Sequence, residues 1–327
     1  MKKFDVVTIG SATLDIMFHT KDAQILKNRK KFGYQHLMAF ELGSKVETHD
    51  VLYTSGGGAA NTAVSFSRLG FKTAAIACIG KGATGQIVMD RFKDEKIDIS
   101  FVKQLEGYTG MSFVITGGKK GDRVIFVHRS VNKKLEVSKK LLNSFSTKWI
   151  YLNSLAGKPW KENTKNIFEI AKKKNIKIAW NPGTTQLDAG YPFLKKYLAN
   201  TEVLLLNREE AISLVRSSGV KTTRIPKLFK VMHGWGPKVI AITVGDKGAY
   251  VCSNSNVCYD KALPAQGLNT TGAGDAFGSS LVSGLITYKG DVKKALHLAI
   301  VRSNYVVRKV GAQEGLLSKK ELTKFKI

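Results

Sequence analysis

Asn269-Thr270-Thr271-Gly272-Ala273-Gly274-Asp275 runs directly into Ala276-Phe277-Gly278-Ser279-Ser280-Leu281-Val282, a small-residue turn with two glycines leading into a helical segment. The first N–H groups of a helix have no intrahelical partner and point outward with the positive end of the helix dipole. Such a terminus is a ready anion site, and glycine lets the backbone come close to a phosphate because no Cβ intervenes. Asp275 is the odd member, since a carboxylate beside an anion-binding turn repels the anion unless it has chemistry to perform. A base that takes a hydroxyl proton while the turn holds a transferring phosphoryl group accounts for both features. The plainer alternative is a capping aspartate at the start of a helix after a glycine turn. This stretch alone leaves both open.

A second stretch, Ser55-Gly56-Gly57-Gly58-Ala59-Ala60-Asn61-Thr62-Ala63, leads into the helical pattern Val64 to Leu69 and closes on Gly70. Gly56-Gly57-Gly58-x-x-Asn61 near the front and Thr271-Gly272-Ala273-Gly274-Asp275 near the back together resemble the two signatures of the ribokinase (PfkB) family of carbohydrate and nucleoside kinases. The resemblance keeps the family's order and covers essentially the whole chain. It implies a ribokinase-like α/β fold: a three-layer α/β/α sandwich with a mainly parallel central sheet and a small β lid. Residues 1–327 then form one kinase domain, with lid segments at about 11–55 and 100–130.

Composition sets outer limits. A chain of 327 residues with 43% hydrophobic content has enough apolar material for a full core. Lys and Arg number 52 against 25 Asp and Glu, a net charge of +27 that raises the question of nucleic acid. The lysines are spread as pairs and one triplet, Lys172-Lys173-Lys174, on amphipathic helices, with no basic tail and no basic run with interleaved aromatics. The charge reads as a solvated surface, with nonspecific polyanion binding at low salt as a side effect and no specific nucleic acid as partner. Cys78, Cys252 and Cys258 lack C-x-x-C spacing, and six dispersed histidines suggest no zinc site. Asp5 and Asp15 interrupt the apolar start of the chain, so no secretory signal is expected there. No apolar run reaches about 18 residues, and a cytoplasmic protein without a membrane span is the expectation.

In chain order, Phe4 to Gly10 reads as a first strand, 20–35 as loop, 36–54 as β contributing to the lid, and Thr73 to Ile79 as a strand. Gly80-Lys81-Gly82-Ala83-Thr84-Gly85 then fits the dinucleotide-binding pattern G-x-G-x-x-G before a helix, Gln86 to Phe92. A Rossmann fingerprint belongs at the first βα turn of its sheet, and a strand and a helix already precede this one. Residues 109–116 and 123–128 read as a β pair in the lid, joined around Gly117 to Gly121. From Trp149 onward β and helical segments alternate: strands 149–152, 176–180 and 203–206, and a helix 161–174. That alternation marks βαβ units, whose ligands bind beyond the carboxyl ends of the strands. Asn153, Asn181 and Asn207 all fall there.

The resemblance also implies roles. Asp275 is the base, and the N–H groups of Gly272, Ala273 and Gly274 stabilise the developing charge. Asp15, Gly57, Gly58 and Asn61 hold the hydroxyls of the acceptor, with Phe113 packing on it and Arg129 either solvated at a sheet edge or touching an anionic substrate. Asn207-Arg208-Glu209-Glu210 resembles the family's Asn-x-x-Glu motif, with Asn207 and Glu210 organising Mg²⁺, Glu210 through water, and the phosphates. Taken without the resemblance, the same residues are a helix start with acids in its first turn. Thr243, Gly245 and Gly248 resemble the nucleotide-binding Thr-x-Gly-x-x-Gly, and Gly311-Ala312-Gln313 a loop near the adenine and a monovalent cation. Gly315 and Asn269 depart from the family's usual residues, which leaves K⁺ open. The expected enzyme moves the γ-phosphoryl of ATP, with Mg²⁺, to a hydroxyl of a ribose-like sugar; a nucleoside is the alternative acceptor. A homodimer through the lid edge completes the expectation.

Overall fold

The structure, a computed structural model, describes residues 1–27, 36–117, 122–264 and 270–325. Asn269, the turn at 118–121 and most of the loop expected between 20 and 35 lie outside the described residues.

Runs of apolar residues set the central sheet. Its strands are β1 (Lys2–Ile9), β6 (Thr73–Gly80), β7 (Val102–Leu105), β10 (Phe145–Leu152), β11 (Lys177–Trp180), β12 (Val203–Asn207), β13 (Val239–Thr243), β14 (Ala249–Ser253) and β15 (Asn256–Asp260). Their order is β15-β14-β13-β12-β11-β10-β1-β6-β7. Neighbours from β7 to β13 are parallel, and only β14 and β15 join antiparallel. Successive side chains of a strand point to opposite faces. Leu204 and Leu206 therefore pack on one layer with Ile240 and Ile242, while Val203 and Leu205 pack on the other with Val239 and Ala241.

Helices cover both faces. In chain order they are α1 (Gly58–Arg68), α2 (Ala83–Asp94), α3 (Lys139–Asn143), α4 (Trp160–Lys174), α5 (Thr184–Asp188), α6 (Gly190–Leu198), α7 (Arg208–Ser217), α8 (Ile225–His233), α9 (Ala273–Thr287), α10 (Val292–Val307) and α11 (Lys319–Leu322). Ile167 of α4, Leu194 of α6, Leu214 of α7 and Phe229 of α8 share one core with one side of the sheet. Phe66 of α1, Phe277 and Leu281 of α9, and Leu296 of α10 fill the opposite side. This is the three-layer sandwich that the resemblance implied, with the parallel sheet expected from the alternating β and helical segments.

The lid is a second sheet, β5-β2-β8-β9, made of β2 (Thr13–His19), β5 (His49–Gly56), β8 (Gly110–Gly117) and β9 (Asp122–His128). A two-stranded ribbon, β3 (Gln24–Lys27) with β4 (His36–Ala39), stands apart. Three expectations change here. Val102–Leu105 pairs with β6 in the central sheet, so the second lid segment starts at Gly110. The 36–54 stretch gives the lid only β5, because β4 pairs with β3. Residues 24–27, read as loop, are a strand.

Candidate active site

Gly272 takes φ +79° as the cap of α9, a left-handed conformation that suits glycine. A Cβ there would collide with Ala312, which fixes the turn against the 311–317 loop. Gly274 differs: a Cβ built on it meets nothing within 4 Å. Among the described residues no acceptor meets the N–H groups of Gly272 or Gly274, whereas Ala273 N–H already donates to the Thr270 carbonyl at 3.3 Å. The turn thus offers two free donors rather than the three expected.

Asp275, in the first turn of α9, accepts a hydrogen bond from Asn61 Nδ2 at 2.8 Å. Burial pushes its carboxyl up to about 6; the Asn61 bond opposes that rise, and the charge of Asp15 adds to it. At neutral pH the group is mostly ionised yet close enough to its titration range to exchange a proton, the condition for a general base.

Asp15 lies in β2 of the lid and is 4% exposed. Thr13 Oγ1 donates to its Oδ1 at 3.0 Å. Burial raises its carboxyl above the ordinary range against the lowering effect of Ser112 and Thr13. The glycine run beside it is required by contact. A Cβ on Gly56 would strike the Asp15 carboxylate, Gly57 has φ +91° and faces the Ser11 carbonyl, and a Cβ on Gly58 would come to 2.9 Å from Asn153 Oδ1. Gly58 N–H donates to Ser11 Oγ at 3.1 Å.

Phe113 does not join Asp15. The register sets Asp15 opposite Thr54 and Ser112, whereas Phe113 stands opposite Ile16 and Phe126. One step along a strand reverses the face, so Phe113 lies on the lid's other face with exposed Tyr53 and Phe126. Arg129 is exposed past the end of β9, and its side chain meets no partner among the described residues. Asn132, three residues on, is buried and clasps the lid's root: Ala12 N–H donates to its Oδ1 at 3.3 Å, and its Nδ2 donates to Ala12 O at 3.0 Å.

A cavity of about 560 Å³ opens on the other side of Gly274, lined by Thr243, Gly245, Gly248, Leu263, Ile300 and Asn304 among others. Gly245 (φ +55°) and Gly248 (φ +104°) turn the chain after β13; a Cβ on Gly245 would meet nothing within 4 Å, whereas one on Gly248 would strike the backbone of Asp260 to Ala262. The cavity is mostly apolar, with size and lining suited to a nucleotide base and ribose. A smaller cavity of about 130 Å³ joins Gly274 and Thr243 to Asn207 and Glu210. Asn207 and Glu210 form a reciprocal cap at the start of α7: Glu210 N–H donates to Asn207 Oδ1, and Asn207 N–H to Glu210 Oε2, both at 2.8 Å. The cap does not exclude a ligand role, because Glu210 Oε1 has no partner among the described residues. Burial raises the Glu210 carboxyl, the Asn207 N–H opposes the rise and Glu209 adds to it. Among the described residues no cluster of three His, Cys, Asp or Glu could cage a metal ion. The donor set fits Mg²⁺, which retains waters and shares phosphate oxygens.

Of the strand-end asparagines, Asn181 reaches the small cavity, while Asn153 is structural, donating to Ile9 O and to Thr62 Oγ1 at 3.2 Å. Two of the dinucleotide-like glycines are packing devices: a Cβ on Gly80 would strike Gly107 and Thr109, and one on Gly85 would strike Gly80 O, while Gly82 caps α2 at φ +109°. Cys78 is buried in β6, its thiol pushed up to about 11 by burial. Sequence reasoning missed Arg302, which is fully buried and donates to Ser65 Oγ, Ser280 Oγ and Leu317 O, tying α1, α9 and the loop after α10 together. An arginine inside an apolar helical stretch was its one visible signal. Among the described residues no helix is long and apolar enough to cross a membrane.

The sequence profile described as pfkB family carbohydrate kinase matches residues 28–319. The chain is 25% identical over 320 residues to the ATP-dependent 6-phosphofructokinase of Thermoanaerobacterium thermosaccharolyticum, covering 95% of this chain and 90% of that protein. It is 27% identical over 282 residues to the ribokinase of Haemophilus influenzae, covering 83% and 86%. A Burkholderia thailandensis nucleoside kinase solved with inosine superposes with a TM-score of 0.79 at 17% identity, over 98% of this chain and 97% of that one.

Proposed function

This chain belongs to the pfkB family of carbohydrate kinases, a phosphotransferase with an alcohol group as acceptor, and on that premise we propose that it phosphorylates a ribose-like sugar with ATP, using Asp275 as the base. The observation that carries the reading is the place of Asp275. It stands at the mouth of the α9 turn, held by Asn61 and facing Asp15 of the lid, with the large cavity on the far side of Gly274.

In this reading ATP lies in the large cavity against Thr243, Gly245 and Gly248, with its phosphates reaching the N–H groups of Gly272 and Gly274. Asp15 accepts hydrogen bonds from neighbouring hydroxyls of the acceptor, which a carboxylate can do with both oxygens, and Gly57, Gly58 and Asn61 form the wall beside it. Asp275 takes the proton of the reacting hydroxyl as its oxygen bonds to the γ-phosphorus, and the bond from phosphorus to the bridging β-oxygen breaks to release ADP. Asn207 and Glu210 would hold Mg²⁺, which would supply neutralisation of phosphate charge there. Each oxyanion donor of this kind contributes about 3–4 kcal/mol when charge develops in a water-poor site. Closure of the lid excludes water, which would otherwise compete as acceptor. Residues 1–327 act as one domain, and the exposed Tyr53 and Phe126 face offers a second copy a place to dock.

The relatives' names span a sugar phosphate and a free sugar, and the structural neighbour a nucleoside. Two carboxylates facing the acceptor favour a neutral polyol over a phosphate brought close to them. The test is ADP release by purified protein with MgATP against D-ribose, other sugars, sugar phosphates and nucleosides, with and without K⁺. The expected result is the fastest release with ribose or a close pentose. A nucleoside or sugar phosphate that outpaces every free sugar overturns the acceptor assignment.

A further inference from the structure

Gln313 is 2% exposed in the loop after α10 and takes no part in the steps above. Its Oε1 accepts from Arg91 Nε at 3.0 Å, and its Nε2 donates to Asn61 Oδ1 at 3.0 Å. Asn61 Nδ2 in turn donates to Asp275 Oδ2 at 2.8 Å. Four side chains from α2, the 311–317 loop, α1 and α9 thus form one line.

The polarity of this line is dictated at both ends. A guanidinium has only donors and an ionised carboxylate only acceptors. Arg91 therefore forces the oxygen of Gln313 toward itself and the Gln313 amino group toward Asn61. Asn61 must then offer its oxygen to Gln313 and its amino group to Asp275. Either amide turned by half a rotation would set two donors or two acceptors against each other. We propose that Gln313 is a positioning residue for the base, fixing the Asn61 amide so that it always donates to Asp275. The proposal rests on the reading of Asp275 as base for its catalytic meaning, though not for its geometry.

The line is anchored at its outer end. Arg91 also reaches Glu314 at 2.9 Å and Glu95 at 3.4 Å, and Arg68 holds the Gln313 carbonyl at 2.8 Å and the Leu316 carbonyl at 2.9 Å. Around Asp275 the charged and titratable groups are Asp15 from β2 and the buried Tyr151 hydroxyl from β10. Burial and the charge of Asp15 raise the Asp275 carboxyl, and the Asn61 donation opposes that rise. The donation that Gln313 enforces thus works against proton uptake by Asp275.

The experiment is a ¹³C-NMR titration of Asp-labelled protein, with the Asp275 signal assigned by its loss in Asp275→Asn. Two near-isosteric variants are compared with wild type. In Gln313→Glu, Arg91 keeps the new carboxylate ionised, and Asn61 must turn its amino group toward it and away from Asp275. In Gln313→Met the lock is removed without a new charge. The expected result is a rise of the Asp275 midpoint by about one pH unit in Gln313→Glu and by less in Gln313→Met, at thermal midpoints close to wild type. The acid limb of kcat with MgATP and D-ribose should rise in parallel. A midpoint that stays put or falls in Gln313→Glu overturns the proposal. An active Asp275→Asn enzyme alongside a raised midpoint would keep the positioning role and discard the base, so the two failures are distinguishable.

Discussion

Two glycine turns open helices in this molecule, Gly80 to Gly85 before α2 and Gly272 to Gly274 before α9. By pattern the first is the better known binding signature. In space it is closed at two of its three glycines: the places where Cβ atoms of Gly80 and Gly85 would lie are filled by Gly107, Thr109 and Gly80 itself, and Thr109 Oγ1 accepts from Gly80 N–H at 3.0 Å, whereas a Cβ on Gly82 would meet nothing within 4 Å. At α9 the cap Gly272 packs against Ala312, while Gly274 in the first turn has empty space where its Cβ would lie and borders two cavities. Glycine makes room for protein at Gly80, Gly85 and Gly272 and leaves open space at Gly82 and Gly274, of which Gly274 lines both cavities described above. What separates them is the occupant of the missing Cβ, which a motif does not record.

Substitutions can break this contrast. The largest effect is expected beside the open turn, at Asp275→Asn. It should lower kcat by roughly 10³-fold, in the range lost with a general base, while nucleotide affinity measured by calorimetry stays within about threefold. Next comes the closed turn. Gly85→Ala drives a methyl into the Gly80 carbonyl and should cost about 2–3 kcal/mol of stability, read from chemical denaturation, with kcat of the folded fraction little changed. Gly274→Ala reverses the pattern. Its φ is not in the left-handed region and its surroundings are empty, so stability should hold or rise by about 0.5–1 kcal/mol. In the proposed reading the methyl stands where phosphates approach, and kcat/KM for ATP should fall by about tenfold, equivalent to about 1.4 kcal/mol of transition-state stabilisation. A Gly274→Ala enzyme at full activity, or a Gly85→Ala enzyme at full stability, would erase the distinction.

The central sheet was legible because its strands are apolar on both faces. Val203 to Leu206 and Val239 to Ile242 admit little else between helical segments. The lid was legible only in outline. Whether Phe113 faces the acceptor depends on β8 pairing in parallel with β2 in one register, and no local pattern specifies that register. β7 escaped notice because Val102 to Leu105 is short and half polar, an edge strand fixed by pairing with β6. At the site, the residues that bring their own backbone signal could be found in sequence: Gly272 with its left-handed turn, Gly57 with its close approach to Ser11. The contact between Gln313 and Asn61 could not, since they lie 252 residues apart and meet only when α1 packs on the C-terminal loop. The Asn207–Glu210 pair was legible as a helix cap and as a ligand motif at once, and the structure contains the cap together with a cavity beside it.

The most direct measurement is the pH dependence of kcat for the wild-type enzyme with MgATP and its best acceptor. A base whose carboxyl burial holds at about 6 must be ionised to work. The account predicts a plateau at neutral pH and a loss of tenfold per pH unit below about 6, set by one proton. A rate that stays level from pH 8 down to pH 5 would contradict it.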